Sequence, residues 1–236
     1  MTVNASASVA RMRPCSLVTL CVLGCGSDPA APSDAAVPDD VAPCTTPNVS
    51  GELVDWDSTT ANFRGIPGAQ LSVAGESPGP ATPPNGRWEL CATGDPIELV
   101  VEAPATYLDA SVHVEAAALG GRALTLRSLT RERAETFYAE RSLTFDPARA
   151  HVLVFLAGDR FDLSLDRTHD AVQAANDDST PGTYVWSAGI AGRYVLFPNV
   201  AVDQPTGTLG GDPSGPHAVP LTAGKLTIAA LLHVFI

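Results

Sequence analysis

From residue 48 onward, apolar and polar residues alternate with a period of two, in short runs separated by glycine and proline. In "GAQLSVAG" (68–75), Ala69, Leu71 and Val73 share one face while Gln70 and Ser72 share the other. "PIELVVEA" (96–103) places Ile97, Leu99 and Val101 together. "SVHVE" (111–115) turns Val112 and Val114 inward and His113 outward, and "GRWEL" (86–90) puts Trp88 and Leu90 on the core side. A two-residue period is the signature of half-buried strands, and the intervening "GESPGPATPPNG" (75–86) has the chemistry of turns. Short strands with one apolar face predict antiparallel β-sandwich architecture.

The later part of the chain repeats this grammar more faintly. "RAHVLVFLAG" (149–158) and "RFDLSLD" (160–166) read as its first two strands, and "AGRYVLFPNVAV" (191–202) as a third. In that third strand Gly192, Arg193 and Tyr194 echo Gly86, Arg87 and Trp88, and "AGKLTIAALLHVFI" (223–236) is placed to close the sheet. A long loop is predicted over 169–182. Between the two parts, "LTRERAETFYAER" (129–141) breaks the alternation. Thr130 is suited to cap a helix there, with Ala134, Phe137 and Tyr138 on one face as a packing surface.

Three motifs occur in order: "VSGELVDWD" (49–57), "IPGAQLSVAG" (66–75) and "NGRWEL" (85–90). Together they resemble the carboxypeptidase regulatory-like domain, a transthyretin-type (prealbumin-like) sandwich, over residues 48–117. Gly68 would allow a tight entry to the second strand, and Asn85-Gly86 a hairpin turn with positive φ. "GDPIEL" (94–99) stands where that family has Gly-x-Tyr. The resemblance implies an accessory, non-catalytic domain, since the family's catalytic groups lie in a separate, larger domain. The expected fold is all-β: tandem antiparallel prealbumin-like sandwiches over 44–118 and 148–236, joined by a connector (119–147) with one short helix. A single larger all-β domain is the alternative.

The N-terminal pattern is different. Arg11 and Arg13 precede an apolar run over 15–23 that is too short to span a membrane, which takes about 20 residues. A basic start, a short apolar stretch and a small residue before the break are the features of an export signal. "VLGC" (22–25) resembles a bacterial lipobox, which implies that residues 1–24 are removed and that Cys25 is lipidated. An ordinary signal peptide with a chance cysteine is the alternative. Gly26 and Ser27 carry no inner-membrane retention aspartate, which favours the outer membrane. "GSDPAAPSDAAVPDDVAP" (26–43) has too few bulky apolar residues to fold, so 25–43 reads as a disordered tether. Two cysteines then remain, Cys44 and Cys91. In an exported chain they suggest a disulfide, two separate buried thiols being the alternative.

Charge narrows the function. The chain carries 14 basic and 26 acidic residues, a formal net charge of −12, and loses only arginines with residues 1–24. That balance argues against nucleic acid, which requires clustered cations. Nucleophile-elbow, zinc-protease, P-loop and dinucleotide-binding motifs are all missing, so the chain is expected not to be an enzyme and to need no cofactor. The richest polar constellation is Asp166, His169, Asp170, Asn176, Asp177 and Asp178. Of these, Asp166, His169 and Asp177 are weak metal candidates, because hard oxygens beside an imidazole suit divalent ions but lack calcium-loop order. A polar surface loop is the default. Asp55 and Asp57 read as solvated acids at a strand end, and His113, His151, His217 and His233 as isolated residues. Trp56 and Trp186 are the aromatics best placed for glycan contact, although core packing is the commoner fate. The sequence thus predicts a lipid-anchored surface module binding an envelope protein or glycan. A structural or assembly component is the second reading, and a hydrolase with an unrecognised site the third.

Overall fold

The computed structural model describes residues 48–59, 61–115, 123–156, 161–177 and 184–231. The expected signal and tether, Cys25, Cys44, Asp178 and His233 lie outside the described residues, as do the side chains of Asn176 and Asp177. Among the described residues the only helix is short, and no helix is long and apolar enough to cross a membrane.

Among the described residues, fourteen strands and one helix form the body. The first part contributes β1 (Val49–Asp55), β2 (Gln70–Val73), β3 (Arg87–Leu90), β4 (Ile97–Glu102), β5 (Ala110–Val114) and β6 (Leu124–Ser128). Helix α1 (Arg131–Ala139) follows. Then come β7 (Ala150–Leu156), β8 (Ser164–Leu165), β9 (Gln173–Asp177), β10 (Tyr184–Ala188), β11 (Tyr194–Val200), β12 (Thr206–Gly210), β13 (His217–Pro220) and β14 (Leu226–Leu231). The all-β class with one short helix is the one the alternation predicts.

One eight-stranded sheet, in the order β10-β9-β11-β7-β14-β5-β4-β2, unites strands from both parts of the chain. Two three-stranded sheets accompany it, β3-β1-β6 and β13-β12-β8. The apolar side chains show how these layers stack. Leu153 of β7, Leu196 of β11 and Ile228 of β14 pack with Leu53, Trp88, Leu126 and the α1 residues Ala134 and Phe137. The alternate residues Val152, Val154, Val195 and Ala229 pack with Leu165, Leu209 and Val219. The long sheet is therefore a middle layer with a hydrophobic core on each face. The first core also takes residues from the connector and from β7, β11 and β14, so a shared sheet runs across the expected boundary at 118–148.

The sheet also differs from a wholly antiparallel one. β14 lies parallel to both β5 and β7, and β6 parallel to β1. "LTIAAL" is buried at every position, so β14 takes the centre of the sheet and not its closing edge. Continuous apolar runs are the pattern of strands covered on both faces. His113 was expected outward and is instead buried, because its face of β5 is covered by the loop and strand carrying Asp212 and His217. β9 falls within the predicted 169–182 loop. "QAAND" has little β-propensity of its own, and β10 and β11 recruit it by pairing on either side.

Local signals behave as the residues dictate. Thr130 caps α1, its hydroxyl accepting from the Arg133 amide, and Ala134, Phe137 and Tyr138 are the helix's buried residues. Gly86 has φ +68°, and a Cβ there would overlap the Leu53 backbone oxygen. The Asn85-Gly86 turn nonetheless joins no hairpin: β2 pairs with β4, and β3 with β1. Gly51 lets β6 approach β1, since a Cβ would meet the Leu124 carbonyl and the Trp88 ring.

Candidate functional site

A cleft opens where the connector after α1, the β8–β9 loop and β11 converge. It encloses about 460 Å³ and is lined by Thr144, Asp146, Arg149, Thr168, His169, Asp170 and Asn199, with Phe145 and Pro147 beside them. Its floor is made by an irregularity in β11. The register against β7 shifts between Phe197 and Val200, and Asn199 sits there at φ +50°. Left-handed backbone is costly for a non-glycine residue, and asparagine is among those that tolerate it because its short amide bonds locally. Here the amide is fully engaged. Asn199 Nδ2 donates to the Thr144 carbonyl at 2.7 Å and to Asp170 Oδ2 at 2.6 Å, and Oδ1 accepts from the Asp146 amide at 3.0 Å. One side chain thus ties three segments of chain into a rim.

The rim carries charged heads. Asp146 Oδ1 accepts from the Ala148 amide, and Oδ2 lies 3.8 Å from Arg149 Nε. His169 Nδ1 lies 2.7 Å from the Asp170 carbonyl oxygen, and its ring meets Phe197 edge-on at 5.1 Å. Beneath Phe145 lies a buried polar pair. His151 stacks on Phe145 at 4.4 Å, and its Nδ1 is 2.6 Å from the Tyr138 hydroxyl. Burial lowers the His151 pKa to about 4, with the Asp146 backbone and carboxylate offsetting part of that effect. Burial also raises the Tyr138 pKa, and the nearby Asp170 charge adds to it. The neutral ring therefore accepts from the phenol at neutral pH.

The sequence-predicted residues disperse. His169 and Asp170 reach the cleft. Asp166 instead accepts the Thr208 amide at 2.7 Å from β12, and that bond holds its pKa below the ordinary value. Asp177 pairs through its backbone with Tyr184 in the β9–β10 ladder. Asp55 and Asp57, expected to be solvated, are clamps: Tyr107 donates its hydroxyl to Asp55, and Arg133 holds Asp57 with two nitrogens at 2.8 and 3.1 Å. Trp56 and Trp186 stack on each other at 5.9 Å and both meet Phe137, so much of their ring surface faces protein.

A second cluster joins residues that looked isolated. His217 on β13 lies with Nδ1 3.2 Å from Glu115 Oε1 and Nε2 2.7 Å from Asp212 Oδ2. Ser214 donates from its amide and hydroxyl to Asp212 Oδ1, and His113, paired with Glu98 at 2.6 Å, lies edge-on to His217. Burial works against the charge on Asp212, but the Ser214 amide, its hydroxyl and His217 together hold the carboxyl below its usual range. Donor atoms of Glu115, Asp212 and His217 lie within 4.8 Å of one another, close enough to share a divalent ion. As they stand they satisfy one another, with a carboxylate at each ring nitrogen, and they tie β13 to the end of β5. Ser214 Oγ is 3.3 Å from His217 Nε2, yet that nitrogen already faces Asp212, which is not the geometry of a base activating a hydroxyl. His217→Ala leaves the buried Asp212 carboxylate without its imidazole partner. It should cost about 2 kcal/mol in urea unfolding, the typical penalty for stranding a buried charged group; an unchanged midpoint would show that the tie contributes nothing. Sequence reasoning missed this cluster because Glu115 and His217 are about a hundred residues apart; the glycine-rich turn before β13 was its only local signal.

Comparison with known proteins leaves the fold to stand on its own geometry. No family model and no curated protein sequence matches the chain. Among solved structures, the chain is similar to the TIE protein of Bacillus anthracis at 9% identity and a TM-score of 0.21. That match covers 78% of this chain and 34% of that one, so the chain spans about a third of its length. It is also similar to the shaft pilin SpaA of Lactobacillus rhamnosus GG, at 10% identity and a TM-score of 0.23, covering 81% of this chain and all of that one.

Proposed function

We propose that the protein is a non-enzymatic binding module of the cell envelope, held to a membrane by lipid at Cys25, with the Asn199 cleft as its ligand site. The observation that carries the cleft's role is Asn199 itself. A left-handed, non-glycine residue at a strand irregularity is held by three hydrogen bonds, and it sets the rim on which His169, Asp170, Asp146 and Arg149 converge. Strained backbone and strand bulges concentrate at functional sites, and binding groups favour loops on a rigid sheet.

The anchor and export reading rests on the N-terminal sequence. A disulfide fits an exported chain. Cys91 is disulfide-bonded, and we pair it with Cys44. The Asn48 side chain bonds both the amide and the carbonyl of Ala92, which brings the chain just after Cys44 beside Cys91.

The test is photo-crosslinking in cells from the exposed cleft position Thr168, comparing the native chain with Cys25→Ala. Capture of an envelope component at Thr168, and loss of membrane fractionation in Cys25→Ala, is the expected result. A variant that fractionates like processed wild type sinks the anchor. Crosslinks found only from positions outside the cleft favour the assembly reading, in which the body serves a constant protein partner.

A further inference from the structure

We infer that the Asn199 cleft takes a neutral, hydroxyl-rich ligand, a single sugar residue of a glycan; the inference rests on the reading of the cleft as the ligand site. Three classes compete for a polar cleft of this size: an anion, a cation and an uncharged polyol. The charges on the rim decide between them.

Asp146 and Asp170 supply two carboxylates, and Arg149 supplies one guanidinium, with His169 beside them. An anionic ligand would meet two carboxylates at contact range with one fixed cation to offset them, in a chain that is already acidic. A cationic ligand would have to compete with the guanidinium held at Asp146 and with the Asn199 amide held at Asp170. Neither class leaves the rim's charges better matched than water does.

A neutral polyol does. A sugar hydroxyl both donates and accepts, so neighbouring hydroxyls can donate to the carboxylate oxygens and accept from Arg149 without adding charge. Donors and acceptors share the lining: Asp146 and Asp170 bring carboxylate oxygens, Arg149 a guanidinium, and Thr168 and His169 further polar atoms. The Asn199 amide, itself engaged with Thr144, Asp170 and the Asp146 amide, fixes their spacing. Charged acceptors and donors give the stronger hydrogen bonds, and they are held in place before the ligand arrives. Phe145 lines the cleft but is buried and stacked on His151, so recognition is chiefly by hydrogen bonds. A volume of about 460 Å³ holds one pyranose ring with room for the next linkage to leave.

The experiment is amide-detected NMR titration of the full chain. The neutral probes are the methyl glycosides of glucose, galactose and mannose; glucuronate and glucosamine are the charged counterparts. At least one neutral glycoside should shift the amides of His169, Asp170 and Asn199 saturably, in the millimolar range. Asp170→Asn keeps an acceptor for Asn199 but removes the charge, and should weaken binding about tenfold. Asn199→Gly keeps the left-handed backbone while deleting the amide that holds the rim, and should abolish binding with the sheet intact by circular dichroism. Preference for glucuronate or glucosamine overturns the ligand class and leaves the cleft as the site. No shift with any sugar at 100-fold excess over the protein overturns the inference, and the cleft's role then rests on the Thr168 crosslinks alone.

Discussion

Phe137→Ala is expected to lower the unfolding free energy by about 3–5 kcal/mol, the range for deleting a fully buried aromatic side chain. Phe137 is 1% exposed and sits where four pieces of structure meet. Trp56 and Trp186 approach its ring edge-on at 5.4 and 5.3 Å. The Arg141 guanidinium lies 3.6 Å from its centroid, and Arg141 Nη1 donates to its carbonyl. A nine-residue helix is too short to persist alone, so α1 depends on this contact. The void would loosen the hold of α1 on the middle sheet and deprive edge strand β10 of the ring against which Trp186 packs. The measurement is thermal unfolding followed by circular dichroism, with a drop of roughly 10 °C for a body of this size. A change of under 1 kcal/mol would mean that the two tryptophans close over the gap, and that the helix is held chiefly by the Arg133–Asp57 pair.

The second large effect is a pH dependence centred on His151. An unfolded histidine takes up its proton near pH 6.5, whereas burial lowers the folded value to about 4. Between these values the unfolded chain binds more protons, so stability is lost as pH falls from 6.5 towards 4 and is fully present above that window. A difference of that size corresponds to about 3 kcal/mol. His151 is 2% exposed, stacked on Phe145 and bonded to Tyr138, so protonation cannot be relieved by swinging into water. His151→Leu keeps the apolar bulk, and its urea-unfolding free energy should fall less between pH 7 and 4 than that of the parent, by about this amount. Parallel curves for the two proteins would refute the assignment. Because Phe145 also lines the Asn199 cleft, the same acid range should loosen the cleft from below.

Much of the fold is legible in the sequence, and the reason is local. Strand identity follows from alternation: Leu71, Leu99, Val101, Val112 and Trp88 are all buried, as their period-two spacing requires. Helix α1 is legible because a cap residue and an apolar spacing of three and four coincide at Thr130, Ala134, Phe137 and Tyr138. The strand topology is not local. Nothing within "LTIAAL" says that β14 inserts between β5 and β7 and lies parallel to both, because parallel partners are chosen by the long crossovers between them. The same limit applies to β9, whose residues become a strand through their neighbours.

Side-chain chemistry divides in the same way. The sequence by itself determined the all-β class, the capped helix and the polar character of the segment around His169. It also carries the features that suggest export and a tether. Only the tertiary structure decided which polar residues meet. It separated Asp166 from His169, brought Asn199 under Asp170 and Asp146, and set His217 between Glu115 and Asp212. The physical reason is that alternation constrains which face of a strand is apolar, whereas the partners of a polar side chain are fixed by the register and stacking of strands far apart in the chain.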